Sequence, residues 1–408
     1  MLTIKNELKL SDKIKMVRVD DLWHMLILMM AWIPGKIYKF LHGDVWVITE
    51  YPENARDNGY WMFRYMRKRF PKKKVFYPIK KKSSDYKKVA KLGNTVEFGS
   101  FRHYILFWAA NKYLGTTKFH GFPDERTCSA FQLRNLAGFK YIFLNHGVAR
   151  GVSSIVDGER SNYEMVVAMS EGEKETIVNI NHQPADKVYA LGFCRHDNLD
   201  DKLLDKKTIL FMPTWRNWLD YRHETDPEVI ENIKKDYLNS EYYKRCKEII
   251  ESKRLQDFLE KNDLHFVMYL HGYAQAYSSY FKPTSDRIEI AKKEEYFVQD
   301  ILKKAAYLIT DYSSVIFDFA YMKKPCVYYQ FDAEEFAEKQ YAESEYYSYE
   351  KDGFGPIFKE LDEVIDHMEE RYSKDFEMEE KYKNRVLNYF PSFDKKHCER
   401  TYDIIKSL

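Results

Sequence analysis

Short runs of β-branched and aromatic residues recur along this chain, each followed by a turn and an amphipathic stretch. That alternation restricts the fold to parallel sheets covered by helices on both faces. Val45-Trp46-Val47-Ile48-Thr49 leads into a turn-rich stretch and then a helical pattern over 60–69. The alternation returns at 74–78, at 104–113 with 118–122, at 141–145, at 165–169 and at 187–192. A second series begins at 208–213 and continues through 265–270, 307–310 and 326–329. Single cores stop growing at about 250–300 residues, so the chain reads as α/β with two Rossmann-like lobes. The polar run 197–207 separates them. The expected divisions are an N-terminal membrane-interface helical segment over 1–44, an acceptor-binding lobe over 45–200, a donor-binding lobe over 201–360 and C-terminal helices over 361–408. The stretch 225–260 also reads as helical, and one of the C-terminal helices is expected to cross back onto the first lobe. Ligands of open α/β sheets bind beyond the carboxyl ends of the strands, so the cleft between the lobes is where chemistry is sought.

Hydrophobic residues make up 45% of the 408 and charged residues 31%, which excludes wholesale disorder. Net charge is only +2, yet Arg64, Arg67, Lys68, Arg69, Lys72, Lys73 and Lys74 cluster, as do Lys80, Lys81 and Lys82. Such clusters suit phosphate groups or an anionic membrane surface, and equally a solvated helix face; no nucleic-acid partner is read from them. The five cysteines are scattered, without zinc-site or disulfide-framework spacing, which fits a reducing cytoplasmic setting. No secretory signal pattern opens the chain. Residues 22–33 are strongly apolar but meet Pro34-Gly35 short of the ~20 residues a spanning helix needs. Trp23 and Trp32, followed by Lys36, Tyr38 and Lys39, fit a helix lying in a membrane interface; a buried core helix is the other reading.

Four segments carry candidate chemistry. In Thr310-Asp311-Tyr312-Ser313-Ser314 an apolar strand ends in hydroxyls just where a helix starts, an arrangement that binds anions but is also an ordinary cap. Asp318 lies four residues beyond Ser314 on the same helix face, placed for donor hydroxyls. Arg216, after the strand at 208–213, offers a planar fork for a diphosphate or, in the plainer reading, for a surface ion pair. His146 in Asn145-His146-Gly147 and His271 in His271-Gly272 follow strands at equivalent positions in the two lobes, and transfer to a hydroxyl needs a base of histidine's kind. No Asp-x-Asp pair occurs, so neither a metal nor another cofactor is expected.

Together with Glu53-Asn54-Ala55-Arg56-Asp57-Asn58-Gly59, Pro213-Thr214-Trp215-Arg216, Gly192-Phe193-Cys194-Arg195-His196-Asp197 and Tyr349-Glu350-Lys351-Asp352-Gly353-Phe354-Gly355-Pro356, these segments resemble the CDP-glycerol glycerophosphotransferase family of wall teichoic acid primases and polymerases. The resemblance implies a GT-B arrangement and a peripheral position on the cytoplasmic face of the bacterial membrane. It implies CDP-glycerol or CDP-ribitol as donor, and a lipid-linked glycan or polyol-phosphate chain as acceptor. By the same likeness His146 would activate the acceptor hydroxyl and His271 would stabilise the donor phosphate or leaving group. Arg216, Ser313 and Ser314 would hold the diphosphate, Thr310 would line the pocket, and Asp318 would contact the polyol. Two departures bear on the acceptor: Asn145-His146-Gly147-Val148-Ala149-Arg150 stands where Trp-His-Gly, Thr-Pro and lysines are usual, and His271-Gly272 where His-Pro is usual. Asn145 and Arg150 are therefore assigned to acceptor binding, with a sugar hydroxyl of a capsular glycan, a lipid-linked disaccharide or a glycerol-phosphate chain all open. The alternatives are a GT-B glycosyltransferase using a nucleotide sugar in surface polysaccharide synthesis, and an inert membrane-docking subunit of a polymer assembly complex. A homo-oligomer remains open.

Overall fold

The computed structural model describes residues 18–293, 295–340 and 346–408. The first 17 residues of the expected N-terminal segment lie outside the described residues. Two parallel sheets carry the fold. β1 (Val45–Thr49), β2 (Lys74–Ile79), β3 (Thr95–Glu97), β4 (Lys112–Gly115), β5 (Lys140–Phe143), β6 (Met165–Ala168) and β7 (Val188–Ala190) form the first, in the order β3-β2-β1-β4-β5-β6-β7. β8 (Thr208–Met212), β9 (His265–Tyr269), β10 (Ile288–Ala291), β11 (Tyr307–Thr310), β12 (Cys326–Tyr329) and β13 (Ile357–Phe358) form the second, in the order β10-β9-β8-β11-β12-β13. The central strands β1 and β8 are buried along their whole lengths, as near-continuous apolar runs in a sheet covered on both faces must be. In each sheet the strand order reverses once, between β1 and β4 and between β8 and β11, and these reversals open the crevices where ligands bind.

The tail closes back as expected. The helix His397–Ser407 reaches the first lobe, where Tyr402 stacks on Phe70 at 4.5 Å and meets Trp46 at 5.7 Å. The Asp197 carboxylate accepts from the backbone N–H of His397 at 2.8 Å and of Cys398 at 3.0 Å, fixing the start of that helix to the connection between the lobes. The stretch 225–260 forms three helices, Pro227–Asn239, Glu241–Glu251 and Lys253–Lys261.

Two local expectations change. Residues 118–122 are turns rather than a strand, because β4 ends at Gly115 and Phe119 takes a left-handed φ of 62°. The apolar stretch 22–33 does not stop at Pro34-Gly35; one helix runs Val19–His42 through both. Proline's missing N–H leaves the Met30 carbonyl without its helical donor, but Met30 is 60% exposed and water can serve it. Gly35 is required by packing, since an added Cβ would come within 2.4 Å of Trp108 Cβ on the helix Phe101–Ala109. That contact is reinforced by Trp108 Nε1 donating to the Leu28 carbonyl at 2.8 Å and by His24 Nδ1 pairing with the Tyr104 hydroxyl at 2.7 Å.

The helix is two-faced. Leu28, Ala31 and Gly35 are buried, while Leu22, Leu26, Met29, Ile33, Ile37, Phe40 and Leu41 form an exposed apolar stripe on the opposite side. One face of the helix thus packs on the first lobe and the other is open. Among the described residues no helix is long and apolar enough to cross a membrane.

Candidate active site

The carboxyl ends of β1, β4, β5, β8, β9 and β11 face one another across the interlobe cleft. A Cβ added to Gly147 would lie 3.6 Å from Ser314 Oγ, so the His146 loop and the Ser313-Ser314 turn are opposed. Tyr51 after β1 and Tyr273 after β9 meet through their hydroxyls on another side of the cleft. A shallow hollow of about 970 Å³ lies elsewhere, along the edge strand β10, where none of the candidate residues is found.

His146 is half-buried, and its Nδ1 lies 2.7 Å from the Thr116 carbonyl at the end of β4. A carbonyl only accepts, so Nδ1 carries the proton and Nε2 of the neutral ring carries the lone pair. His271 has the opposite polarity. Its Nδ1 accepts from the Tyr273 backbone N–H at 3.2 Å, which leaves the proton on Nε2. Burial, aided by the Arg222 guanidinium, pushes the His271 pKa down to about 4, so the ring is neutral and a hydrogen-bond donor at physiological pH. Trp215 stacks over it at 6.2 Å.

The loop that carries His146 is held from below by a buried carboxylate. Glu173 accepts from Met169 N–H at 2.6 Å, Ala149 N–H at 2.7 Å and Asn145 Nδ2 at 3.1 Å. Burial pushes its pKa up to about 7 against the pull of those donors. Glu50 plays the same part beside β1, accepting from the N–H groups of Arg56 at 2.7 Å, Asp57 at 3.0 Å and Tyr60 at 2.6 Å.

Five residues assigned from sequence are engaged by the protein's own groups. The Arg216 side chain is 0% exposed, with Nε and Nη2 on Asp332 at 2.7 and 3.0 Å, Nη2 on Asp311 at 3.0 Å and Nη1 on the Thr214 carbonyl at 2.6 Å. Thr310 does not line the cleft, because it is fully buried and its hydroxyl donates to the Met212 carbonyl at 2.7 Å. Asp318 is buried against Arg195 and His196. Asn145 is buried at 4% exposure in a left-handed conformation. Arg150 bridges the lobes, donating to the Tyr349 hydroxyl and the Tyr312 carbonyl and lying 5.4 Å from the Tyr349 ring centroid. His146, Arg150, His271, Ser313 and Ser314 are the sequence candidates that keep part of their surface open.

Sequence reasoning passed over Glu173 and Arg195. Glu173 sits three residues after Ser170, a spacing that reads as a local capping box, and Ser170 does cap that helix through Glu173 N–H at 3.2 Å. The carboxylate itself goes to the His146 loop. Arg195 lay within a quoted motif whose role no spacing could reveal.

A model of the CDP-Glycerol:Poly(glycerophosphate) glycerophosphotransferase family matches residues 36–407. The minor teichoic acid biosynthesis protein GgaB of Bacillus subtilis is 30% identical over 372 residues, covering 90% of this chain and 40% of its own length. The teichoic acid glycerol-phosphate transferase of Staphylococcus aureus is 24% identical over 228 residues, 52% of each protein. Among solved structures, the wall teichoic acid polymerase TagF aligns with a TM-score of 0.64 at 16% identity, over 96% of this chain and 98% of that one, a likeness of fold. The chain therefore spans 40% and 52% of the lengths of these two relatives.

Proposed function

Since the chain belongs to the CDP-glycerol:poly(glycerophosphate) glycerophosphotransferase family, we propose that it transfers a polyol phosphate from CDP-glycerol or CDP-ribitol to a hydroxyl of a teichoic-acid-type acceptor, releasing CMP. The observation that carries this reading is the pair of cleft histidines with opposite tautomers. The acceptor oxygen attacks the phosphorus bonded to the polyol, and His146 Nε2 takes the hydroxyl proton. The bond from that phosphorus to the oxygen bridging it to CMP breaks, and CMP leaves with that oxygen. His271 Nε2–H donates to the charge that gathers on the phosphate or on the departing oxygen. Ser313 and Ser314 add hydroxyls at the start of the helix Val315–Tyr321, which favour an anion.

The helix Val19–His42 is assigned to the membrane. Its exposed stripe includes Phe40 at 88% and Leu41 at 67%, with the exposed Lys36 near its carboxyl end. Apolar insertion beside a basic group suits an anionic leaflet, with the protein peripheral on its cytoplasmic face.

The test is CMP release and product mass for purified protein with both CDP-polyols and a panel of lipid-linked acceptors. CMP release that His146→Ala lowers by about 10²–10⁴-fold is expected. Silence with every CDP-polyol, together with thermal stabilisation by a UDP-sugar, overturns the reading in favour of a glycosyltransferase.

A further inference from the structure

Arg195 opens the connection between the lobes, in the turn Cys194–Asn198 that follows β7. Its side chain is only 7% exposed, yet it is engaged on both sides of the cleft. Nε lies 3.0 and 2.9 Å from the two oxygens of Asp318, on the second-lobe helix that begins directly after Ser313 and Ser314. Nη1 donates to Asp57 Oδ1 at 2.8 Å and to the His146 carbonyl at 2.9 Å, both in the first lobe. Its backbone is fixed as well, the N–H by Asn58 Oδ1 at 3.0 Å and the carbonyl by Gln299 Nε2 at 3.3 Å. Asn58 in turn donates to the carbonyls of Leu144 at 3.2 Å and Asn145 at 2.8 Å.

We infer that Arg195 is a positioning residue that couples closure of the two lobes to the placement of His146. One guanidinium holds the peptide carbonyl of His146 and the second-lobe carboxylate of Asp318 at once, so His146 is fixed where the Ser313-Ser314 turn is fixed. When the lobes part, Asp318 leaves with the second lobe and the guanidinium loses the anion that orients it. His196 Nε2 also touches Asp318, at 3.0 Å, but burial pushes that ring's pKa down to about 4, so it contributes a neutral hydrogen bond and no second cation. The charge holding Asp318 across the cleft is therefore that of Arg195.

The inference rests on the transferase reading, so its test has one arm that needs no substrate. All five native cysteines are buried, so spin labels can be placed selectively on Lys91→Cys in the first lobe and Glu260→Cys in the second. In this background Asp318→Asn is expected to move the label distances to longer values, and Asp318→Glu to return part of the short population. In the kinetic arm Asp318→Asn and Arg195→Lys are expected to lower kcat by about 10–100-fold, as loss of alignment does, while KM for the CDP-polyol changes by less than about threefold. Asp318→Glu recovers part of the rate. Label distances unchanged by Asp318→Asn overturn the inference, and so does a wild-type kcat per folded molecule in a variant that has merely lost stability. A wild-type protein that turns over no CDP-polyol overturns the transferase reading instead, and the distance measurement still judges the latch.

Discussion

Replacing Arg216 by methionine separates a diphosphate ligand from a buried ion clamp. The guanidinium faces two carboxylates, Asp332 through a two-pronged contact at 2.7 and 3.0 Å and Asp311 at 3.0 Å, with all three side chains at most 2% exposed. Burial already holds the Asp332 pKa above its ordinary value despite the arginine. Without the arginine, one carboxylate must either stay charged in a dry site or take up a proton. Protonating an aspartate of ordinary pKa at pH 7 costs about 4 kcal/mol, and breaking a buried pair from one side costs about 3–5 kcal/mol. Urea unfolding of Arg216→Met should therefore show a loss of that size, measured from the midpoint at unchanged slope. The sign with pH is fixed: a carboxyl whose folded pKa is raised keeps its proton in the folded state and loses it in the unfolded one. The variant should accordingly regain stability as pH falls from 7 toward 4, more steeply than the wild type. Packing loss alone has no such slope. An Arg216→Met protein that unfolds within about 1 kcal/mol of wild type but no longer binds a CDP-polyol would refute the clamp and restore the diphosphate assignment.

Glu173→Gln should lower kcat by about tenfold or more by loosening the His146 loop. It should also remove a step in the pH–rate profile near pH 7, where the wild-type carboxylate ionises and tightens on its three N–H donors. Because that pKa is raised, Glu173 favours the folded state below its unfolded pKa of about 4.3, and this contribution is lost as pH rises through about 7. The variant's unfolding free energy should lack that fall. Gly35→Ala should lower the melting temperature, at about 1–3 kcal/mol, although alanine ordinarily favours a helix; a rise would show that Trp108 does not press on this backbone. Ile37→Asp with Leu41→Asp should cut sedimentation with phosphatidylglycerol vesicles at least about tenfold without shifting the melting temperature. Unchanged sedimentation would remove the helix from the membrane.

The central strands were legible because a parallel strand buried on both faces is an apolar run, as in the five residues of β1 and of β8. Three of the four edge strands, β3, β10 and β13, of three, four and two residues, carry too few apolar positions to stand out. The places of the two histidines after β5 and β9 were legible because strand ends were. Charged residues were not: sequence shows what a side chain is but not what it meets. Arg216 finds Asp332 across 116 positions, Arg195 finds Asp318 across 123, and Arg150 finds Tyr349 across 199. Each was read as facing substrate or left unread, and each serves the protein's own frame.

The departure at Asn145 has a physical origin that changes what it says about the acceptor. The residue before His146 must take φ of 62°, a region asparagine tolerates better than most residues with a side chain. Its Oδ1 accepts from the His146 N–H at 2.9 Å and its Nδ2 reaches Glu173, so both ends of the amide turn the loop that aims the imidazole. Arg150 likewise spends its guanidinium on the second lobe. Both positions that differ from the family pattern thus make bonds within the protein, Asn145 to the His146 loop and Arg150 to the second lobe.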